Sequence, residues 1–189
     1  MGPRHLLPVA ALAVIASGLP GCGSEATSSA PAVRFQGALL PPGVRAPQFG
    51  LRDQDGRPLR STSLGGHVTV VALVHTHCLQ CEVLAQQLKG ALDDLRTPVP
   101  TVAISTEPAT DTRASARRFL ARVGLGGRMR FLLGSPHALA AVWRGFSIRP
   151  HQEPLVVIVD ARGIQRVAFP VSQATPERIA HDLRALGAR

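Results

Sequence analysis

The stretch that most constrains the fold is residues 68–84, VTVVALVHTHCLQCEVL. Its first half is a run of apolar, mostly β-branched residues, which predicts a buried strand. The run stops at His75 and leads directly to Cys78 and Cys81, which open a segment with helical spacing. A cysteine in the first turn of a helix lies beside unpaired N–H groups and the positive end of the helix dipole, which favour a thiolate. We therefore predict a redox-active dithiol where the strand meets the helix.

This arrangement is typical of thioredoxin-type redox sites, in which thiol pKa values of about 3.5 to 7.5 occur. Cys78 is then the exposed nucleophile, and Cys81, one helical turn further on, is the resolving thiol. A zinc site and a purely structural disulfide are the alternative roles for the two cysteines. A zinc site needs four ligands, and the chain has no second cysteine pair. A purely structural disulfide is disfavoured because so short a loop gains little stability from closure.

The first residues have the pattern of an export signal. A short basic start with Arg4 is followed by an apolar run at 6–19 that is too short to span a bilayer. The run ends in Leu-Pro-Gly-Cys, which resembles a bacterial lipobox and implies cleavage before Cys22 and a lipid on its thiol. Ordinary signal-peptide cleavage is the alternative.

These features predict a signal peptide at 1–21, a flexible tether at 22–45 and a single domain at 46–189. The tether prediction rests on small polar residues without periodicity. We expect the protein in the bacterial cell envelope, extracytoplasmic and held to the membrane by its lipid. That compartment allows a dithiol to cycle through a disulfide.

Composition limits the partners. Hydrophobic residues make up 45% of the 189 residues and charged residues 17%, which excludes a mainly disordered chain. The formal net charge is +9, nearly all from arginine, but export and the low aromatic content of 4% argue against nucleic acid. An anionic membrane surface or an acidic protein remains as the partner for the positive charge.

The alternation of patterns predicts an α/β fold of the thioredoxin-like type, with a central mixed sheet flanked by helices. Two short runs at 49–52 and 57–60, separated by Asp-Gln-Asp-Gly, predict an N-terminal β-hairpin extension. The other predicted elements are strands at 68–74, 99–105, 129–133, 155–159 and 164–169, and helices at 79–95, after residue 111 or 112, at 135–143 and after 175–177.

The chain from about residue 46 to 186 resembles the Sco/SenC family of membrane-anchored thioredoxin-fold proteins. The matching segments are 47–56, 76–78, 104–112, 130–134 and 160–163. The resemblance implies a protein that binds copper through two cysteines and a histidine. It also implies a role in maturing the copper centre of cytochrome oxidase, or in keeping the thiols of that centre reduced. The expected partner is accordingly a client dithiol or a copper-site subunit.

Two departures from the family matter. The family spaces its cysteines C-x-x-x-C, whereas Cys78 and Cys81 are separated by two residues. In the family, the metal-binding histidine lies eleven residues before the glycine of the late turn. Counting back from Gly163 gives position 152, which is a glutamine, and His151 is one place away. Pro154 instead resembles the cis-proline of the TlpA and ResA reductases, which packs against the CxxC, so a cis bond is expected there.

Copper is a chemically reasonable cofactor because Cu(I) prefers thiolates. The third ligand is His151, with His77 and His75 as alternatives, although His77 also suits a role in tuning the Cys78 thiolate. Glu107 follows a central strand at the same edge of the sheet, where it either moves the proton of Cys81 or is a solvated loop acid.

Three functions compete. The favoured one is thiol-disulfide exchange through Cys78 and Cys81, in service of a copper site. The second is a copper chaperone without redox turnover. The third, a thiol peroxidase, is disfavoured because residues 71–78 lack the proline and threonine expected ahead of a peroxidatic cysteine.

Overall fold

A computed structural model describes residues 1–2, 34–148 and 152–188. Nearly all of the predicted signal peptide, together with Cys22 and His151, lies outside these residues. The elements below belong to one compact unit, Val33–Arg189. Within the described part of the chain, no helix has both the length and the apolar character needed to cross a membrane.

Eight strands and four helices of the described residues are numbered in chain order. The strands are β1 Ala38–Leu39, β2 Gly50–Arg52, β3 Pro58–Arg60, β4 Thr69–Val74, β5 Thr101–Ser105, β6 Arg130–Leu132, β7 Leu155–Val159 and β8 Gln165–Pro170. The helices are α1 Leu79–Asp93, α2 Arg113–Arg122, α3 Pro136–Gly145 and α4 Pro176–Ala185.

Six of these strands form a mixed sheet in the order β1-β8-β7-β4-β5-β6. The β4, β5 and β6 strands are parallel, while β7 is antiparallel to β4, and β8 is antiparallel to both β7 and β1. The separate β2–β3 hairpin is the predicted N-terminal extension. The predicted thioredoxin-like fold with a mixed sheet is therefore confirmed.

Both faces of the sheet are covered, and β4 shows why its sequence has no polar side. Val70, Ala72 and Val74 contribute to one core, which also contains buried residues of α1, α2 and α4. Val71 and Leu73 alternate to the opposite face and join a second core with α3 and the hairpin. Side chains two residues apart point to the same face of a strand, so a strand buried on both faces is apolar throughout.

The topology brings three chain segments to one edge of the sheet. β4 and β5 both end there because they are parallel, so residues 75–81 and 106–111 follow side by side. β7 runs the other way and begins at this edge, with Leu155 opposite Leu73. Residues 152–154 therefore lie next to the dithiol without being close to it in sequence.

Candidate dithiol and metal site

Cys78 is the N-cap residue of α1, and its sulfur occupies the position of a capping oxygen. The backbone N–H of Cys81 donates to Sγ of Cys78 over 3.0 Å, and the two cysteines form a disulfide. Cys78 is half-buried, whereas Cys81 is fully buried. A reagent from solvent thus meets Sγ of Cys78 first, with Sγ of Cys81 behind it.

His75 follows the last residue of β4 and lies against the dithiol. Its backbone N–H donates to Sγ of Cys81 over 3.5 Å. One of its ring nitrogens lies within 4.8 Å of both sulfurs, which are themselves within that distance of each other. Among the described residues, His75, Cys78 and Cys81 are the side chains brought close enough together to hold a metal ion.

The Nδ1 atom of His75 is buried, and no described residue makes a hydrogen bond to it. Oε2 of Glu107 is 3.1 Å away, which is an ion-pair distance, but the alignment is not that of a hydrogen bond. A buried polar atom without a hydrogen bond is costly, so such atoms in native proteins usually have a functional explanation. A ligand to the histidine ring is one such explanation.

The sequence left two roles for Glu107, moving the proton of Cys81 or being a solvated loop acid, and in the structure its carboxylate lies beside His75. The Glu107 side chain is about half exposed, at 48%. Its backbone N–H donates to Oγ of Ser105, which holds the start of the loop against the end of β5. Glu107 therefore lies beside His75, and His75 in turn lies beside the two sulfurs.

The other histidine candidates are placed differently. His77 is exposed and is not part of the group formed by His75 and the cysteines. His151 lies outside the described residues. Sequence reasoning ranked His75 behind both, although a signal existed: His75 continues the line of β4, whereas His77 comes after the chain has turned away from it.

Pro154 lines the same cleft as the dithiol, but its peptide bond differs from the prediction. The cleft encloses about 400 Å³ between the start of α1 and the segment from Gln152 to Pro154. No peptide bond within the described residues is cis, so the expected cis bond before Pro154 is wrong. The trans form is the default for an X–Pro bond, and here it leads the chain directly into β7, where the Pro154 carbonyl accepts from the N–H of Val171.

A buried carboxylate fixes the segment between His75 and Cys78. Oδ1 of Asp111 accepts from the backbone N–H of Thr76 over 2.9 Å and from its hydroxyl over 2.7 Å. Oδ2 accepts from the hydroxyl of Ser105 over 2.5 Å. Asp111 thus ties the chain after β4 to the end of β5 at Thr76, two residues before Cys78.

These features define a thioredoxin-like protein with a half-buried CxxC and an adjoining histidine. The family model that describes SCO1/SenC proteins matches residues 41–186. The chain therefore belongs to the SCO1/SenC family.

Three solved structures illustrate the likeness. ScoI of Bradyrhizobium japonicum with copper bound is 24% identical, with a TM-score of 0.59 over 75% of this chain and 99% of its own. Apo Sco1 of Thermus thermophilus is 22% identical, with a TM-score of 0.66 over 83% and 99%. BsSco, a Sco-family cytochrome c oxidase assembly protein with a disulfide switch, is 18% identical, with a TM-score of 0.65 over 78% and 95%. At these identities the likeness establishes the fold. No curated protein matches the chain.

Proposed function

We propose that this protein performs thiol-disulfide exchange in the cell envelope, in the maturation of a copper centre of cytochrome c oxidase. The observation that carries the proposal is the pairing of a half-buried Cys78 at the N-cap of α1 with a fully buried Cys81 behind it. The N–H of Cys81 stabilises negative charge on Sγ of Cys78 by donating to it. A thiolate that is both accessible and stabilised is the attacking group that exchange requires.

The reaction begins from the reduced dithiol. The Cys78 thiolate attacks one sulfur of a partner disulfide, a bond forms between the two sulfurs, and the partner's other sulfur leaves as a thiolate. Cys81, once deprotonated, attacks Sγ of Cys78, which closes the protein disulfide and releases the second partner thiolate. Two electrons pass from the protein dithiol to the partner, and the protein is left in the disulfide form that the structure shows.

A second function, Cu(I) binding, is supported by His75. The ring nitrogen and the two sulfurs lie within 4.8 Å of one another, and Nδ1 is buried without a hydrogen bond. Two thiolates and an imidazole suit a soft ion such as Cu(I). In this role the reduced protein would hold copper as cargo through Cys78, Cys81 and His75. The disulfide offers no thiolates, so attack on a partner disulfide and copper binding would both need the reduced protein and would compete for the same two sulfurs.

The proposed cellular setting extends the sequence analysis. Residues 1–21 direct export, Cys22 carries the lipid, and the tether between membrane and domain is the part of 22–45 that precedes residue 36, because residues 36–39 are bonded to α4 and β8. The partners are then a client dithiol or a copper-site subunit presented at the same membrane. A solved SCO1/SenC family protein of Bacillus anthracis is a lipoprotein, which supports the lipid anchor by analogy.

Mixed-disulfide trapping tests the exchange function. The protein used is the full chain with Cys22→Ser, so that only the two cysteines of the site remain. It is reduced and then mixed with the disulfide of cysteine and nitrothiobenzoate. We expect rapid release of the coloured thiolate, a stable mixed disulfide at Cys78 when Cys81→Ser is added, and little reaction when Cys78→Ser is added. Equal reactivity of the two variants, or none in the parent, would contradict the proposal.

A further inference from the structure

Two apolar side chains are exposed beside the dithiol. Leu79 is 78% exposed and Val83 is 45% exposed, although both belong to α1, which is otherwise packed against the sheet. Residues four apart on a helix lie on one face, so the two side chains form a continuous patch. Only three other large apolar residues of the described chain are exposed, Met1, Leu39 and Val44.

The position of this patch is tied to the reacting sulfur. Leu79 directly follows Cys78 and is the first residue of α1, while Cys81 is buried beneath the helix. A macromolecule that brings a sulfur to Cys78 therefore comes close to the exposed side chain of Leu79. A single exposed leucine needs no explanation, but an apolar pair bordering a reacting atom indicates a contact surface.

Positive charge adjoins the patch on the α2 side. An ion pair of 2.7 Å between Arg122 and Glu82 places the end of α2 next to the first turns of α1. The α2 helix contains no acidic residue and exposes four arginines; Arg118 shares a face with Arg122, whereas Arg117 pairs with Asp55 and Arg113 lies against Gly56 in the β2–β3 turn. Arg118 has no ion pair with any residue that the structure describes.

The surface is not positive on every side. Glu153 lines the cleft next to Cys78, and Glu107 contacts His75. Arg118 and Arg122 lie on the α2 side and the two glutamates on the other, so a complementary partner would carry its carboxylates on one side of its cysteine.

We propose that Leu79, Val83, Arg118 and Arg122, here called the α1–α2 surface, dock a protein partner whose redox-active cysteine is bordered by an apolar residue and by carboxylates. This inference rests on the proposed exchange function and names the class of partner that the same site would serve. Apolar contact would hold the partner over Cys78, and the arginines would steer and orient it. An anionic membrane has similar chemistry, but the proximity of the patch to the reacting sulfur favours a protein.

Competing peptide substrates test the inference. The substrates are short peptides with a single cysteine, which is joined to nitrothiobenzoate as a mixed disulfide. The residue on one side of the cysteine is leucine or glutamine, and the residue on its other side is glutamate or lysine. Each is reacted with the reduced full chain carrying Cys22→Ser, and its rate is divided by the rate with the cysteine–nitrothiobenzoate disulfide. This ratio removes any change in the intrinsic reactivity of Cys78.

We expect the parent protein to prefer the leucine–glutamate peptide over the glutamine–lysine peptide by about tenfold, a preference that weakens with added salt. Val83→Gln should reduce the preference for leucine by about threefold, whereas Leu39→Gln, an exposed apolar residue elsewhere, should leave it intact. Arg118→Gln should reduce the preference for glutamate, and Arg96→Gln, an exposed arginine at the end of α1, should not.

Equal ratios for all peptides, together with normal reaction of the cysteine reagent, would overturn the docking surface while leaving the exchange function intact. Failure with the cysteine reagent itself would instead overturn the exchange function. Vesicles containing phosphatidylglycerol provide the remaining comparison. If Val83→Gln weakened vesicle binding and left every peptide ratio unchanged, the surface would belong to the membrane and the proposal would be wrong.

Discussion

Oε2 of Glu107 lies 3.1 Å from Nδ1 of His75, and the ring of that histidine lies within 4.8 Å of both sulfurs of the dithiol. The histidine next to the cysteines therefore comes from the end of β4. Glu107 contacts the ring without a hydrogen bond to it, and its carboxylate would add negative charge beside a cation held by His75 and the cysteines.

Replacing His75 by alanine should weaken Cu(I) binding to the reduced protein by about tenfold or more, because one of three ligands is lost. The affinity is measured by competition against a Cu(I) chelator. His77→Ala should have a smaller effect, and His67→Ala, an exposed histidine before β4, should have none. Unchanged affinity in His75→Ala would remove this histidine from the site.

Replacing Asp111 by alanine should lower the free energy of unfolding by about 3 kcal/mol, because three donors lose a buried carboxylate acceptor. Urea unfolding measures this difference. Asp94→Ala is the matched control: its ion pair with Arg184 is exposed and should be worth less than about 1 kcal/mol. Similar losses in the two variants would contradict the structural role of Asp111.

Asp53, which is 2% exposed, should make stability depend on pH. Burial raises the pKa of its carboxyl, but hydrogen bonds from the Arg57 N–H, the Arg130 side chain and the Asp55 N–H outweigh burial and lower the pKa below 3.8. Because the folded-state pKa is lowered, the contribution is complete above the unfolded pKa and is lost as the pH falls through the folded value.

Asp53→Asn should therefore cost about 2 kcal/mol at neutral pH, since it keeps the acceptor for the two backbone N–H groups but loses the ion pair with Arg130. The difference from the parent protein should shrink as the pH is lowered below about 4. Chemical unfolding at a series of pH values measures it. A difference that stays constant down to about pH 3 would exclude this role.

Gly37→Ala should destabilise the protein by about 1–3 kcal/mol. An added Cβ would lie 2.7 Å from the Phe169 ring and would also overlap Val167. The backbone cannot easily shift, because the Gly37 N–H donates to the buried carboxylate of Asp182 over 2.9 Å. Thermal unfolding is compared with that of Gly50→Ala, whose Cβ would meet nothing within 4 Å. Equal stability of the two variants would show that the segment before β1 packs loosely.

Much of the fold was predictable because local patterns agree with it. The strand before the dithiol, the two hairpins and the caps of α3 and α4 at Ser135 and Thr175 all follow from short-range signals. For α2, the sequence left Asp111 and Thr112 as alternative caps. Thr112 is the cap, and Asp111 is used instead to hold Thr76. The choice depends on a tertiary contact that local sequence does not contain.

The β1 strand was missed for a similar reason. Its two residues, Ala38 and Leu39, are exposed and have no alternating pattern. They form a strand because they pair antiparallel with the backbone of β8. At the site, the dithiol was predictable from its position between strand and helix. The position of His75 directly after β4 favoured it over His77, but the approach of its ring to the sulfurs was not predictable, because it depends on how the loop before α1 folds.

The central claim is that Cys78 is the attacking thiol and Cys81 the protected one. The most direct test is competitive alkylation of the fully reduced full chain with iodoacetamide at neutral pH, with the modified peptides quantified by mass spectrometry. Because Cys78 is half-buried at the N-cap and Cys81 is fully buried, we expect Cys78 to react at least about tenfold faster. Equal rates, or faster modification of Cys81, would contradict the account.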